Sequence, residues 1–486
     1  MENGIGVGDA SHSRAKASLR QVDGGSIDRS NWSMDLDETT RLIRAAAERA
    51  ATYHASLPER GVAPTPASLA ALAEFDEPFP ERPAAADDTL AMLDRLGSPA
   101  TMATTGGRYF GFVNGAVLPA AMAAHILATA WDQNAALSAM SPLASRVRSV
   151  VSRWLVDALR LPAGSEAMFV GGATVANLCG LAAGRDFVLS QVGWDAAGDG
   201  LIGAPPVSVI VGEQAHSTIA KSLSIIGLGR KRVIVAPTDD QGRIIASRLP
   251  SVDGPVIVST QAGELNTGAF DPFDEIIDWA RQRNSWVHVD GAIGLWAAAS
   301  PARRHLTAGM NGADSWATDG HKWLNVPYDS GIILIRDAAL LRPTMSARAG
   351  YLPEGDLDPM HHTPQSSQRA RAFDAWAALR TLGRSGLADL VDRCSDHAQR
   401  FAAGLRAAGI DVLNEVVINQ VLVGFADDAA TDRVLEHIQR SGECWCGGTM
   451  WRGRKAMRIS VSSWATTEAD VDRSLAAIIA ARDAAC

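Results

Sequence analysis

Two short stretches of this chain hold residue types that belong together in catalysis. Ser285-Trp-Val-His-Val-Asp290 is a mostly apolar run that ends in a carboxylate. Asp319-Gly-His-Lys-Trp-Leu-Asn325 sets Lys322 beside His321, shortly before a second apolar run, Gly331-Ile-Ile-Leu-Ile-Arg336. Runs without polar alternation read as buried strands. A carboxylate at the end of such a strand is costly unless it is paired, and a lysine amine attacks a carbonyl only when it is deprotonated. One ligand answers both demands. Pyridoxal 5′-phosphate (PLP) offers an aldehyde to Lys322 and a pyridine nitrogen that Asp290 can keep protonated. Taken singly, the fragments read as a strand-end aspartate and a surface lysine that never meet; the pair in this order favours the cofactor.

Two further pieces fit the same site. Gly171-Gly-Ala-Thr174 lies between an apolar run, Ala167-Met-Phe-Val170, and a helical stretch from Thr174 to Val188. Glycines allow close backbone approach, and N–H groups at a helix start favour a phosphate, with the Thr174 hydroxyl as one more donor. Alone, such a turn is more often only a turn. His216 follows the run Val207–Val211, on the edge of a sheet where ligands bind; it could stack on an aromatic ring or simply brace its loop. His321 could orient the lysine, contact the phosphate or be structural.

The elements that must position these residues alternate. Strand candidates at Val207–Val211, Arg232–Val235 and Pro255–Val258 have helix-length segments such as Pro272–Arg283 among them. That pattern predicts an α/β domain with a mainly parallel sheet covered on both faces. Residues 35–100 read as helical, punctuated by prolines and too small to bury their own core. After residue 386 the texture changes to α+β, with strands expected at Asn419–Phe425 and Met457–Val461 and a closing helix whose Thr467 and Asp470 have capping spacing. The expected division is therefore a flexible leader over 1–34, an N-terminal helical segment over 35–100, a large domain over 101–385 and a small α+β domain over 386–486.

Composition narrows the class of protein. At 486 residues the chain is long enough for more than one domain, and its net charge of −9, without a long Lys/Arg cluster, argues against a nucleic-acid or anionic-membrane partner. Five cysteines form no paired framework and no tetrahedral metal set, so no metal is expected. The leader has no apolar segment of the kind found in secretion signals, and no run reaches the length of a membrane span. A cytoplasmic protein is the expectation.

With these residues assembled, the chain resembles the PLP-dependent decarboxylases of the aromatic-amino-acid, histidine and glutamate type. Arg108-Tyr-Phe-Gly-Phe-Val-Asn-Gly115, Trp131-Asp-Gln-Asn134, Ser141-Pro142, Phe169-Val-Gly-Gly-Ala-Thr-Val-Ala-Asn177, the His216 segment, His288-Val-Asp-Gly-Ala292, Gly320-His-Lys-Trp323 and Ala375-Trp-Ala-Ala-Leu-Arg380 follow one another in the family's order. The resemblance implies the PLP fold type I architecture, a homodimer with the active site at the subunit interface, and a dimer-clasping role for residues 35–100. It implies Lys322 as the Schiff-base lysine, Asp290 as the pyridinium partner, His216 as the ring-stacking residue, Gly172, Ala173 and Thr174 in the phosphate cup, and Ala292 along the ring.

The chain departs from the family in two places. Ala173 replaces another small residue of the phosphate turn, which a largely backbone contact tolerates. The family also keeps a tyrosine on a mobile loop, upstream of a paired-basic motif that corresponds here to Gln368-Arg369. The matching stretch, Asp356 to Gln365, has His361 and His362 instead, and Tyr351 lies further upstream. These three are the candidates to donate the proton that replaces carbon dioxide. The expected activity is decarboxylation of an L-amino acid, with aldehyde synthesis or carbon–carbon lysis on the same site as the alternative, and a silent PLP-binding protein behind both.

Overall fold

The structure, a computed structural model, describes residues 36–346 and 357–485. Its larger sheet has seven strands: β1 (Glu166–Val170), β2 (Ser208–Gly212), β3 (Ile234–Ala236), β4 (Val256–Gln261), β5 (Trp286–Asp290), β6 (Ser315–Asp319) and β7 (Gly331–Ile335), in the order β1-β7-β6-β5-β4-β2-β3. Strands β6, β5, β4, β2 and β3 pair in parallel, whereas β7 is antiparallel to both β6 and β1. The sheet is mainly parallel, as expected. Every residue of β4 to β7 is buried, because both faces are covered. Successive side chains of β7 show it: Ile332 and Leu334 join one apolar cluster with Val287, Val289, Trp296 and Leu379, while Ile333 and Ile335 join another with Ala176, Leu181 and Val209.

This arrangement brings the C-terminal ends of β1, β2, β5 and β6 to one edge of the sheet. That is the edge where open α/β sheets bind ligands. The helix Ala173–Ser190 starts from the turn after β1 and packs against β5, β6 and β7. Two glycines permit the close packing: a Cβ on Gly180 would lie 2.5 Å from His288 Nδ1, and one on Gly331 would lie 2.2 Å from the Gly172 backbone.

A second, antiparallel sheet is made by β8 (Asp411–Val412), β9 (Gln420–Gly424), β10 (Gly447–Trp451) and β11 (Arg454–Ser460), in the order β10-β11-β9-β8. The helical stretch Ala372–Ala407 runs toward it and is broken at Gly383, whose φ is 61°. The closing helix Glu468–Ala485 carries the expected cap: the Asp470 N–H donates to Thr467 Oγ1 and the Thr467 N–H donates to Asp470 Oδ2. At the other end of the chain, the helix Leu36–Ser56 buries none of its residues and Ala86–Ala100 buries only Leu96. Among the described residues no helix is long and apolar enough to cross a membrane.

Candidate active site

Asp290 and Lys322 do meet. Both line a cavity of about 310 Å³ at the strand edge, together with Gly172, Ala173, Thr174, His216, Ala292 and His321. The sequence reading thus placed eight residues that the fold gathers around one space. The cavity is also lined by Gln261, Leu265, Thr218, Asp319 and Tyr328, which that reading did not select.

Asp290 ends β5 and is 6% exposed, so its charge needs fixed donors. Asn177 Nδ2 donates to its Oδ2 at 3.1 Å, and the Ala292 N–H donates to Oδ1 at 3.2 Å. Behind Asn177 stands a chain of buried groups. His288 Nε2 lies 2.8 Å from Asn177 Oδ1, His288 Nδ1 lies 2.8 Å from Ser315 Oγ, and Trp286 Nε1 donates to Ser315 Oγ at 3.2 Å. An amide oxygen only accepts, so His288 Nε2 carries the proton and Nδ1 accepts from the serine hydroxyl. Complete burial pushes the His288 pKa down to about 3, and the ring is neutral at pH 7. The direction of every bond in the chain is thereby set, and Asn177 offers its N–H₂ to the carboxylate. Both His288 and Asn177 lie inside motifs quoted above; what sequence could not show is that the helix after β1 crosses the sheet where His288 rises from it.

His216 caps the helix Ser217–Ile225, with Nδ1 accepting from the Thr218 N–H at 3.3 Å and sitting 2.7 Å from Thr218 Oγ1. Burial lowers its pKa first of all; Asp290 raises it, and Lys322 and Arg458 lower it. An imidazole held neutral in this way can lie against an aromatic ring without importing charge. Arg458, on β11, is 7% exposed and donates to the Leu265 carbonyl at 3.2 Å. It brings a buried cation from the second sheet toward the cavity, a role the strand pattern of Met457–Val461 gave no sign of.

Lys322 Nζ lies 3.0 Å from Asp319 Oδ2, and Asp319 Oδ1 accepts the Ala173 N–H at 2.6 Å. His321 Nδ1 accepts the Ser330 N–H at 3.1 Å, and burial lowers its pKa. The ring of Tyr328 lies 4.2 Å from that of His321, and its hydroxyl is 2.8 Å from Asn114 Oδ1. Burial raises the pKa of Tyr328, so the phenol keeps its proton through neutral pH.

The loop candidates fare differently. His361 and His362 are buried in and just after the short turn Pro359–His361, at 2% and 1% exposure, and neither lines the cavity of Lys322. His361 Nδ1 lies 3.2 Å from Ser346 Oγ, and His362 Nδ1 donates to the Asp358 carbonyl at 2.8 Å. Within one chain they do not reach the site, because Met360 anchors the turn against Ala136 and Leu137. Tyr351 lies outside the described residues.

An amine, a braced carboxylate, a neutral imidazole and a glycine turn at a helix start, all on one cavity, define a PLP enzyme of fold type I. The family model described as the pyridoxal-dependent decarboxylase conserved domain matches residues 71–426, and the chain belongs to that family. Its cofactor is PLP and its chemistry is amino-acid decarboxylation, that of a carboxy-lyase. The chain is 29% identical over 432 residues to the L-2,4-diaminobutyrate decarboxylase of Rhizobium meliloti (strain 1021), covering 84% of this chain and 81% of that one. It is 28% identical over 364 residues to the 4-hydroxyphenylacetaldehyde synthase of Rhodiola rosea, covering 68% and 72%. Several further relatives are matched over about half of their own length, 51% in three cases. In fold it is similar to the crystal structure of Oryza sativa TDC with PLP and tryptamine, with a TM-score of 0.85, 22% identity, and coverage of 93% and 99%.

Proposed function

We propose that this chain removes the carboxyl group of an L-amino acid and releases the corresponding amine, with Lys322 as the residue that holds PLP through its amine. The observation that carries the assignment of residues is the chain of hydrogen bonds from Trp286 to Asp290, which orients one carboxylate in the cavity that Lys322 lines. When bound, PLP supplies the electron sink for the pair left behind as carbon dioxide departs. Asp290 holds a proton on the pyridine nitrogen. His216 and Ala292 bound the ring, Gly172, Ala173 and Thr174 receive the phosphate, and His321 orients Lys322 and screens Asp319. Tyr328 is the proton-bearing hydroxyl on the cavity wall, and we assign it the positioning of the proton that replaces the carboxylate.

A second reading, aldehyde formation, is favoured by the absence of a tyrosine in Asp356–Gln365 and by the relation to an aldehyde synthase. One experiment separates the two. Purified holoenzyme is incubated with pooled amino acids, and carbon dioxide, amine, aldehyde and hydrogen peroxide are all measured. Carbon dioxide with amine supports the first reading, aldehyde with peroxide the second, and no carbon dioxide from any amino acid rejects both.

We further propose that the chain works as a homodimer in the cytoplasm. The dimer is supported by a helix, Leu36–Ser56, that buries nothing within the chain and by the exposed apolar residues Ile43, Ile126, Leu127 and Trp131. The division of the chain is proposed to follow the two sheets, with the break at Gly383 between them. Analytical ultracentrifugation of the holoenzyme tests the dimer; a monomer at micromolar concentration removes it.

A further inference from the structure

We propose that Asp319 is a built-in competitor for the cofactor's phosphate, occupying the phosphate cup and pairing with Lys322 until PLP displaces it. The inference rests on the assignment of Gly172, Ala173 and Thr174 as that cup. Ala173 is the first residue of the helix Ala173–Ser190, and its N–H is one of the donors with which a helix start receives an anion. That donor is already engaged by Asp319 Oδ1 at 2.6 Å. The other oxygen, Oδ2, is 3.0 Å from Lys322 Nζ. One carboxylate therefore spans the two groups that a phosphorylated aldehyde needs.

The surroundings hold Asp319 in this place. It is 3% exposed at the end of β6, and the absent side chain of Gly172 leaves the space above the turn open: a Cβ there would lie 3.7 Å from both Asp319 Oδ1 and His321 Cε1. His321 Nε2 is 3.5 Å from Oδ1. The other ionisable groups facing Asp319 are Tyr328 from the loop before β7 and His216 from the helix after β2. Asp290 shares the cavity from β5. The helix Ala173–Ser190 presents Thr174 there, which does not titrate. Asp329, on the far side of the turn at Gly171, is engaged by Arg369 and Arg371. Lys322 is thus the one lysine or arginine in contact with Asp319 among the described residues, and covalent attachment of the cofactor would engage that same amine.

A phosphate dianion entering beside this carboxylate meets a like charge in a partly dry site, where repulsion is strong. The pair resolves the conflict by taking one proton from solvent onto the phosphate. Free phosphate esters have a second pKa near ~6, so the uptake is expected above that pH. The advantage that the phosphate gives PLP over pyridoxal should then shrink as pH rises from about 6 to about 8. Substituting Asp319→Asn keeps the shape, removes the charge and should abolish the shrinkage.

The test uses protein stripped of cofactor and titrated with PLP and with pyridoxal, which lacks the phosphate, by fluorescence near pH 8 and near pH 6. Comparing the two ligands cancels the pH dependence of the lysine reaction that they share. D319N is expected to raise the ratio of PLP to pyridoxal association constants near pH 8 by about tenfold or more, and by less near pH 6. Calorimetry of the unaltered protein in buffers of different ionisation enthalpy should show about one proton taken up with PLP beyond that with pyridoxal; this arm decides if D319N does not fold. A large ratio that is the same in both proteins overturns the proposal and leaves the cup in place. A ratio near one in both proteins overturns the cup assignment and the proposal with it.

Discussion

Two histidine-bearing regions of this chain, one inside β5 and one at the turn after residue 357, are treated in opposite ways by the structure, although only the second was a catalytic candidate in the sequence. His288, inside β5, has both ring nitrogens engaged, by Ser315 and by Asn177, and hands its order on to Asp290. His361 and His362, at the turn after residue 357, each have a contact for Nδ1, while Nε2 is buried with no hydrogen-bond partner among the described residues. A buried polar group that is fully satisfied on both sides can transmit orientation; one satisfied on a single side cannot. The difference separates a positioning device from a turn whose histidines are held by packing. It follows that substitutions in the first region should move catalysis and those in the second should move little.

The strongest test of the first region is Lys322→Ala. Without the amine the cofactor has no covalent anchor, and turnover should fall by roughly 10³-fold or more. Borohydride reduction of the unaltered protein followed by peptide mapping should place the pyridoxyl group on Lys322. Its recovery on another lysine would remove the assignment. Next in size is Asp290→Asn, which keeps the shape and discards the charge that holds the ring nitrogen protonated. A fall of about 10²-fold or more in kcat is expected with PLP still bound, since the loss is confined to the transition state. Near-normal turnover would contradict the role.

His288→Gln tests whether the chain behind Asp290 matters. The shorter amide cannot reach both Ser315 and Asn177, so Asn177 loses its brace; about tenfold in kcat is a reasonable scale for a residue that acts through another. A second readout is stability against pH. The folded pKa of His288 is about 3, far below that of a free imidazole, so the unfolded chain binds an extra proton between those values. His288 therefore contributes stability that is present above about pH 6.5 and is lost as pH falls toward about 3. Asp271 acts in the opposite sense, because burial raises its pKa to about 7 and its contribution is lost as pH rises toward that value. Melting temperatures of both proteins across this range should show a shallower acid-side decline in the His288→Gln variant. Parallel curves together with unchanged kcat would reduce His288 to a packing residue.

Much of this site was legible in the sequence because its residues sit at the ends of apolar runs. Asp290 ends β5, His216 follows β2 and Gly172 follows β1, and each run is recognisable from its apolar residues alone. Strand β6 was not recognised: Ser315-Trp-Ala-Thr-Asp319 mixes hydroxyls with apolar residues, yet all five are buried, with Ser315 engaged by His288 and Trp286. Missing β6 meant missing that Asp319, like Asp290, is a strand-end carboxylate on the same edge. Tyr328 escaped for another reason, since Tyr328 lies in an irregular connection to β7 that no periodicity reports. The loop histidines were selected by their spacing from Gln368-Arg369, and spacing does not reveal which way a turn packs.

The smallest expected effect is the one that separates the two regions most cleanly. His361→Phe and His362→Phe should leave the amine-to-aldehyde ratio within about twofold of the parent, because neither side chain lines the cavity. Burial lowers the pKa of His362, with Arg342, Arg148 and His361 adding to the shift, so at pH 7 the ring is neutral and its one proton already goes to the Asp358 carbonyl. Losing that bond is worth about 1 kcal/mol of stability, partly offset because Phe buries no unpaired ring nitrogen. Tyr328→Phe is the matched control: it removes a protonated hydroxyl from the cavity wall and should shift the ratio toward aldehyde. If the histidine variants shift the product ratio and Tyr328→Phe does not, the proton is delivered from the loop region after all. The 359–362 turn would then have to act on a site other than that of its own chain, and mixing differently disabled subunits, one Lys322→Ala and one carrying both histidine substitutions, would show this as a loss confined to one of the two pairings.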